Sequence, residues 1–288
     1  MNIQWYPGHM TKTRRMMQSN MALVDVVIEL LDARIPYSSK NPDMDELARN
    51  KRRIVLLNKS DLADPHVTKQ WEGYYRERGF RALAINATEK KIGNRLAETV
   101  RHIMSEKIAR EKARGRLTVN IRAMVAGIPN VGKSTLINQL SAAAGRGGAP
   151  TVTGDKPGVT RGRQWIKVTK DFDLLDTPGV LWPKFEDKAV GERLAFTGAI
   201  NDTILDTISL SEALITWLVE EKPEALISRY KLGEVLGLES RFLLEAIAEA
   251  RGFKVKGGDL DCERAANTLL DEFRAGKLGR ISLEKPQQ

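Results

Sequence analysis

The chain has 288 residues, 42% hydrophobic and 29% charged, with 46 lysines and arginines against 37 aspartates and glutamates, a net charge of +9 and one cysteine, Cys262. That length accommodates a full α/β domain and a smaller second domain, each with its own core. A lone cysteine excludes an intramolecular disulfide framework and suits a reducing cytosol, and the most apolar stretch, ALVDVVIELL, is interrupted by Asp25 and Glu29, which excludes it as a membrane span.

The opening MNIQWYPGHMTKTRRMM lacks the apolar core of a secretory signal, so a soluble, cytoplasmic protein is expected. It has no acidic residue before Asp25, while Lys12, Arg14 and Arg15 make it basic. VDVVIELL is the first strand-like run, with LLDARIP as a strand-end turn; PDMDELARN has helical spacing, and RIVLLN is a second strand. NKSD, residues 58–61, closes that strand. Asn, Ser and Asp after a strand make a good turn, yet the same four residues resemble the guanine-reading motif of GTPases. In that reading the Asp61 carboxylate accepts from the guanine N1–H and 2-amino group, a pair that adenine lacks. Asn58 is expected to bond the acceptor edge of the purine, and the Lys59 stem to cover one face of the ring.

Further along, VTKQWEGYYRERG is amphipathic, RALAIN is a third strand running into INAT (85–88), and NRLAETVRHIMSEKIAREKAR is a long helical stretch. From Arg101 to Arg122, expected to be helix-like, seven lysines and arginines stand against two glutamates, either a solvated face or a surface for a polyanion. A fourth strand, RAMVA, leads into GIPNVGKS, Gly127 to Ser134, and KSTLINQLSAAA continues as a helix. The string fits G-x-x-x-x-G-K-S/T with the strand before it and the helix after it that this loop requires. Its glycines let consecutive backbone N–H groups turn around phosphate oxygens at a helix N-terminus. Lys133 is expected to reach the β- and γ-phosphates, and the Ser134 hydroxyl to ligate Mg2+.

QWIKV and FDLLD are the last strands, and the second runs into DTPG. That tetrapeptide is by itself a common turn. Lying after Lys133 and after the KPGVT that holds Thr160, it matches the spacing of the two nucleotide-sensing segments of GTPases. Asp176 would then hold Mg2+ through water, and the Gly179 N–H would meet the γ-phosphate with no side chain in the way. Apolar runs alternating with helices argue for an α/β fold, a mostly parallel sheet with helices on both faces. Beyond residue 188 only helical spacing remains, in SEALITWLVEE, EALISRYKLGEVLG, ESRFLLEAIAEARG and CERAANTLLDEFRAG. Residues 1–188 hold 33 lysines and arginines against 20 acids, and residues 189–288 hold 13 against 17, so the basic charge sits in the first part.

The motif order is unusual. An ordinary GTPase runs from phosphate loop through the switch threonine and D-x-x-G to N-K-x-D and a short S-A-K loop, whereas here the order is NKSD, INAT, GIPNVGKS, PGVT, DTPG. The set resembles the circularly permuted GTPases, in which the ordinary domain is cut before its fourth strand and its old ends are joined, here through ARGRLTVN (113–120). Within that class WYPGHM, LLDARIP, NKSD, GIPNVGKST, KPGVT and DTPGVLWP resemble the bacterial ribosome biogenesis GTPase A family over essentially the whole chain. The resemblance implies a permuted P-loop GTPase domain over 1–188 and a small all-helical domain over 189–288. It implies GTP hydrolysis coupled to late assembly of the large ribosomal subunit, activated by the particle, with the subunit precursor, its rRNA and its ribosomal proteins as partners. A monomer off the ribosome and no membrane partner are expected.

The same resemblance implies a base site at Asn58, Lys59, Ser60, Asp61, Asn86 and Ala87. The phosphates would lie at Asn130, Val131, Gly132, Lys133, Ser134, Thr135, Thr160 and Gly179, and Mg2+ at Ser134, Thr160 and Asp176. Where many GTPases place a water-orienting glutamine after D-x-x-G, this chain has Val180, which cannot orient water. In the family an N-terminal histidine has been proposed instead, matching His9; the plain alternative is that His9 packs the N-terminal segment. Asn130 matches the asparagine of potassium-activated GTPases, or serves only as a residue that tolerates a left-handed backbone. INAT departs from S-A-K but keeps Ala87, whose N–H is expected at the base; the lost serine and lysine put the rigidity of that loop in doubt. In the acidic tail, Arg251, Lys254 and Lys256, or Arg274, Lys277 and Arg280, form either an rRNA-facing surface or a solvated one. A GTP-dependent ribosome-binding placeholder with negligible catalysis is the alternative function.

Overall fold

Strand-forming runs in this chain are nearly continuous in apolar residues, as strands buried on both faces must be. β1 (Val26–Asp32) is buried at every position and β2 (Arg52–Asn58) at its last five. A computed structural model describes residues 15–143, 164–177, 187–201 and 206–286. With β3 (Arg81–Ala84), β4 (Ile121–Ala126), β5 (Gln164–Thr169) and β6 (Phe172–Asp176) the strands form one sheet of order β3-β2-β1-β4-β6-β5. Every neighbouring pair is parallel except β5 and β6, which are antiparallel. Ile28 and Leu30 align with Ile54 and Leu56 on one face, all fully buried. Leu31, Val55 and Leu57 face the other way, onto Trp71 and Tyr75 of α2 (Pro65–Glu77), so both faces are covered.

Other helices of this part are α1 (Asp43–Leu47), α3 (Ile92–Ile103), α4 (Ser105–Ala113) and α5 (Lys133–Ala143), and residues 15–21 are helical as well. α2 begins where the sequence directs: Pro65 occupies the first turn, and the Asp64 side chain accepts from His66 N and Val67 N. The stretch expected to be helical from Arg101 to Arg122 is not continuous. It breaks at Met104, ends at Ala113, and by Ile121 is strand. Tertiary pairing overrides helix propensity here. Arg101 forms a two-pronged pair with Asp171 at the β5–β6 turn, Nε and NH2 at 2.9 and 3.0 Å, and Lys107 pairs with Asp25 beside the start of β4. Residues 114–120 join α4 to β4, and β4 lies between β1 and β6, so the strand that carries the phosphate loop sits centrally in the sheet.

The chain divides into two compact units, Met1–Glu186 with Ser282–Gln288, and Asp187–Ile281. The helical part was expected to run to residue 288; instead its end returns to the first unit, because Ser282 to Glu284 find hydrogen-bond partners there. The second unit comprises α6 (Lys188–Phe196), α7 (Thr207–Glu221), α8 (Pro223–Tyr230), α9 (Ser240–Ala250) and α10 (Cys262–Arg274). α7 touches the other four. Leu210, Leu214, Leu218, Leu243, Ile247, Leu269 and Phe273 fill its core. Asp187, Asp206 and Asp261 cap α6, α7 and α10. EALISRYKLGEVLG is helical only to Tyr230, where Lys231 turns left-handed at φ 58°. No helix among the described residues is long and apolar enough to cross a membrane.

Candidate functional site

The carboxyl ends of the parallel strands converge on one edge of the sheet, the edge where α/β proteins bind their ligands. β1 ends in Asp32, β2 in Asn58, β4 in Ala126 before the phosphate loop, and β6 in Asp176, while β3 leads to INAT. Motifs scattered over more than a hundred residues therefore meet on one rim.

The phosphate loop runs from β4 into α5. Gly127 sits so close to β1 that an added Cβ would lie 2.6 Å from the Leu30 carbonyl oxygen. Gly132 has φ +101°, and a Cβ there would collide with the Asn58 amide nitrogen. Both positions need glycine for steric reasons that are non-local. Asn130 is exposed with φ +56°, the left-handed backbone that asparagine tolerates. Lys133 is buried, and its Nζ donates to the carbonyl oxygens of Gly127 and Ile128 at 3.0 and 2.6 Å, which holds the ammonium inside the loop. Burial pushes the Lys133 ammonium down to about 8, with the Asp176 carboxylate opposing. Burial raises Asp176, while Lys133 and the Thr177 N–H act against it. Thr177 anchors the start of the D-x-P-G segment by donating its hydroxyl to Val125 O. Ser134 and Thr135 are half-buried at the start of α5. A hydroxyl and a buried carboxylate are the hard oxygen donors that Mg2+ takes, and a cation there would offset the burial that raises Asp176. Thr160, Gly179 and His9 lie outside the described residues.

On the base side Asn58 is buried and works as a tie. Its Nδ2 donates to Val131 O at 2.7 Å, and its Oδ1 accepts from Ala87 N at 2.9 Å. Asn58 was expected to bond the acceptor edge of the purine and the Ala87 N–H to lie at the base; in this structure the Asn58 amide meets Val131 O and Ala87 N, so both groups have partners within the protein. INAT is also firmer than the missing serine and lysine suggested. The Asn86 side chain accepts from Thr88 N and Thr88 Oγ1 at 3.0 and 2.7 Å, an Asx turn, while Ser60 N donates to Ile85 O. Lys59 has φ +58°, and Asp61 is exposed on the loop.

Sequence reasoning assigned no role to the DAR segment. Arg34, 1% exposed, grips the Asp32 carboxylate with Nε and NH2 at 2.9 and 2.7 Å, and Lys59 Nζ lies 3.2 Å from the same carboxylate. Burial alone would raise Asp32, but the charges of Arg34 and Lys59 hold it well below the usual carboxylate range. The DAR turn thus fixes the lysine of NKSD. An Asp-x-Arg placed at the end of a buried strand was the signal available, readable only once β1 was known to lie beside β2.

In the tail, Arg251 and Arg274, both among the six proposed RNA-facing basic residues, have internal roles. Arg251 pairs with Glu272 at 2.8 Å, and Arg274 donates to Ala195 O and Phe196 O at 2.8 and 3.1 Å.

A phosphate loop, an Asp at the end of one neighbouring strand, and an N-K-x-D loop on the same rim beyond the other neighbour, all reached in permuted order, define a circularly permuted P-loop GTPase. Comparison with known proteins narrows this. The family model described as 50S ribosome-binding GTPase matches residues 122–232. Ribosome biogenesis GTPase A of Priestia megaterium is 47% identical over 100% of this chain and 98% of its own, and that of Thermotoga maritima 30% identical over 99% and 95%. Mitochondrial ribosome-associated GTPase 1 of Bos taurus is 32% identical over 98% of this chain and 88% of its own. The solved structure of GNP-bound YlqF from T. maritima superposes with a TM-score of 0.65 at 27% identity, covering 96% of this chain and 99% of that one. The chain belongs to the ribosome biogenesis GTPase A family, and its reaction is the hydrolysis of GTP.

Proposed function

We propose that this GTPase serves late assembly of the large ribosomal subunit, in the cytoplasm, and that the precursor particle raises its rate of hydrolysis. The observation that carries the nucleotide part is the Asn58 amide, which joins the phosphate loop to the INAT loop and so makes one pocket of segments that stand 44 residues apart in the chain. The partner is supported by the names of the relatives and by the basic excess of residues 1–188, which suits rRNA phosphates.

In this reading Asp61 selects guanine, because bound adenine would leave its carboxylate unpaired. Lys133 and the loop N–H groups from Asn130 to Thr135 hold the phosphates, with Gly179 and Thr160 closing on the γ-phosphate. Ser134, Thr160 and Asp176 would hold Mg2+, which would supply positive charge to the phosphates. Asn130, exposed at the loop with an amide oxygen, is the candidate ligand for K+, whose charge would stand in for an arginine finger. His9 takes the water-orienting place that Val180 cannot fill. The test is GTP turnover with and without large subunits, in K+ and in Na+. Strong stimulation by subunits that is greater in K+ and is lost in His9→Ala is the expected result. GTP-dependent binding without stimulated turnover would favour a placeholder, and equal rates in the two salts would remove the K+ role.

A further inference from the structure

The last described residues carry a polar sequence, SLEK, yet Ile281, Ser282, Leu283 and Glu284 are 4, 8, 4 and 6% exposed. Ile281 and Leu283 are buried apolar side chains, and Ser282 and Glu284 are held beside them by hydrogen bonds within the first unit. Leu283 N donates to Arg34 O at 2.8 Å, and Asp64 N donates to Ser282 Oγ at 3.1 Å. The Glu284 carboxylate accepts from Tyr37 N at 2.8 Å, from Ser38 N at 3.2 Å and from the Ser38 hydroxyl, and its carbonyl oxygen accepts from Trp71 Nε1 at 3.1 Å.

These partners bracket NKSD. On one side lies the segment from Asp32 to Ser39: Asp32 N donates to Ser39 Oγ at 3.0 Å, and the Asp32 carboxylate holds Lys59. On the other lies Asp64, just past Asp61, whose side chain starts α2. The chain end is thus bound both to the turn that fixes Lys59 and to the cap that follows Asp61. Without Glu284 the buried Ser38 N–H and hydroxyl and the Tyr37 N–H lose a charged acceptor, a loss larger than that of a neutral bond.

We propose that Ser282 to Glu284 form a strap that positions the guanine-reading loop, with Glu284 as its main positioning residue. The inference rests on the reading of NKSD as the guanine site and extends it to a residue 223 positions later in the chain than Asp61. It also gives the helical unit two covalent links to the nucleotide domain, one after the D-x-P-G segment and one at the base.

The test compares GDP with IDP, which lacks the 2-amino group, by calorimetric titration of the full chain. In wild type GDP binds more tightly than IDP. In Glu284→Ala, GDP affinity is expected to fall on the order of tenfold and IDP affinity by less, so that base discrimination shrinks. Glu284→Gln, which keeps one acceptor oxygen, recovers part of it. Ser282→Ala, which removes only the Asp64 contact, shifts the ratio the same way and serves where Glu284→Ala fails to fold. Equal weakening of both nucleotides, or no change in either, overturns the strap and leaves the residue a structural fastener. Wild type that binds GDP and IDP alike overturns the NKSD reading itself, and the strap with it.

Discussion

Asn58 holds two loops that lie 29 and 73 residues away in the sequence, one with each end of a single amide. Replacing it with alanine leaves the Ala87 N–H and the Val131 carbonyl without partners in a buried place, a cost of about 2 to 4 kcal/mol for the two groups together. Asn58→Ala is therefore expected to lower the urea midpoint of the nucleotide-free protein as well as GDP affinity; an unchanged midpoint would show the tie to be dispensable. Lys133 gives a second prediction. Because burial depresses its ammonium to about 8, it is charged below that pH with or without nucleotide. Above it the empty site is neutral, and bound phosphate restores the charge, so GDP binding takes up a proton and weakens as pH rises past 8. Titrations in buffers of different ionisation heat should give net proton uptake at pH 8.5 and none from this group at pH 7. The phosphate-loop motif, Asp176 and NKSD were legible in the sequence because each is a short string whose chemistry is local. The tie of Asn58 to Ala87 and the approach of Lys59 to Asp32 were not, because each needs strands to be placed side by side before the partners meet.

At the scale of elements, the strands were readable because a parallel strand buried on both faces must be largely apolar, and the inner stretches VVIELL and IVLL are. The break at Met104 was not, since SEKIAREKA is as good a helix former as the segment before it; Arg101 and Lys107 turn to different partners, Asp171 and Asp25. α10 carries the clearest element-scale prediction. Glu272 on its buried face receives Arg229, Arg251 and the Tyr230 hydroxyl. Hydrogen bonds from Arg229, with Tyr230 and the charge of Arg251 and against the cost of burial, hold its carboxyl at about 2 rather than 4.5. A carboxyl depressed in the folded state adds stability above its unfolded value and loses that stability as pH falls toward the folded one. The helical unit should thus weaken between about pH 4.5 and 2, and Glu272→Gln should start weaker and flatten that stretch of the curve, followed by circular dichroism melts. A variant that keeps the wild-type acid slope would place the titration elsewhere.

For the molecule as a whole, permutation and the returning chain end have one joint effect. The helical unit, Asp187–Ile281, is inserted between β6 and the strap, so both of its ends are fixed to the nucleotide domain. While it is folded, it holds the chain leading to the strap short. Melted, the same stretch is a flexible loop of about 95 residues, and closing such a loop costs about 4 kcal/mol. The strap would then be the contact first lost, since Ser282 to Glu284 are joined to the first unit by a handful of hydrogen bonds rather than by a strand ladder. Two separate cores should give two calorimetric transitions, with GDP at a hundred times its Kd raising only that of the nucleotide domain, by about 2.7 kcal/mol. In mild urea that melts the already weakened helical unit of Glu272→Ala, GDP should still bind, but with reduced discrimination against IDP, as in Glu284→Ala. Full discrimination with the helical unit melted would mean that the strap holds without it, and that the second link between the helices and the guanine loop transmits nothing.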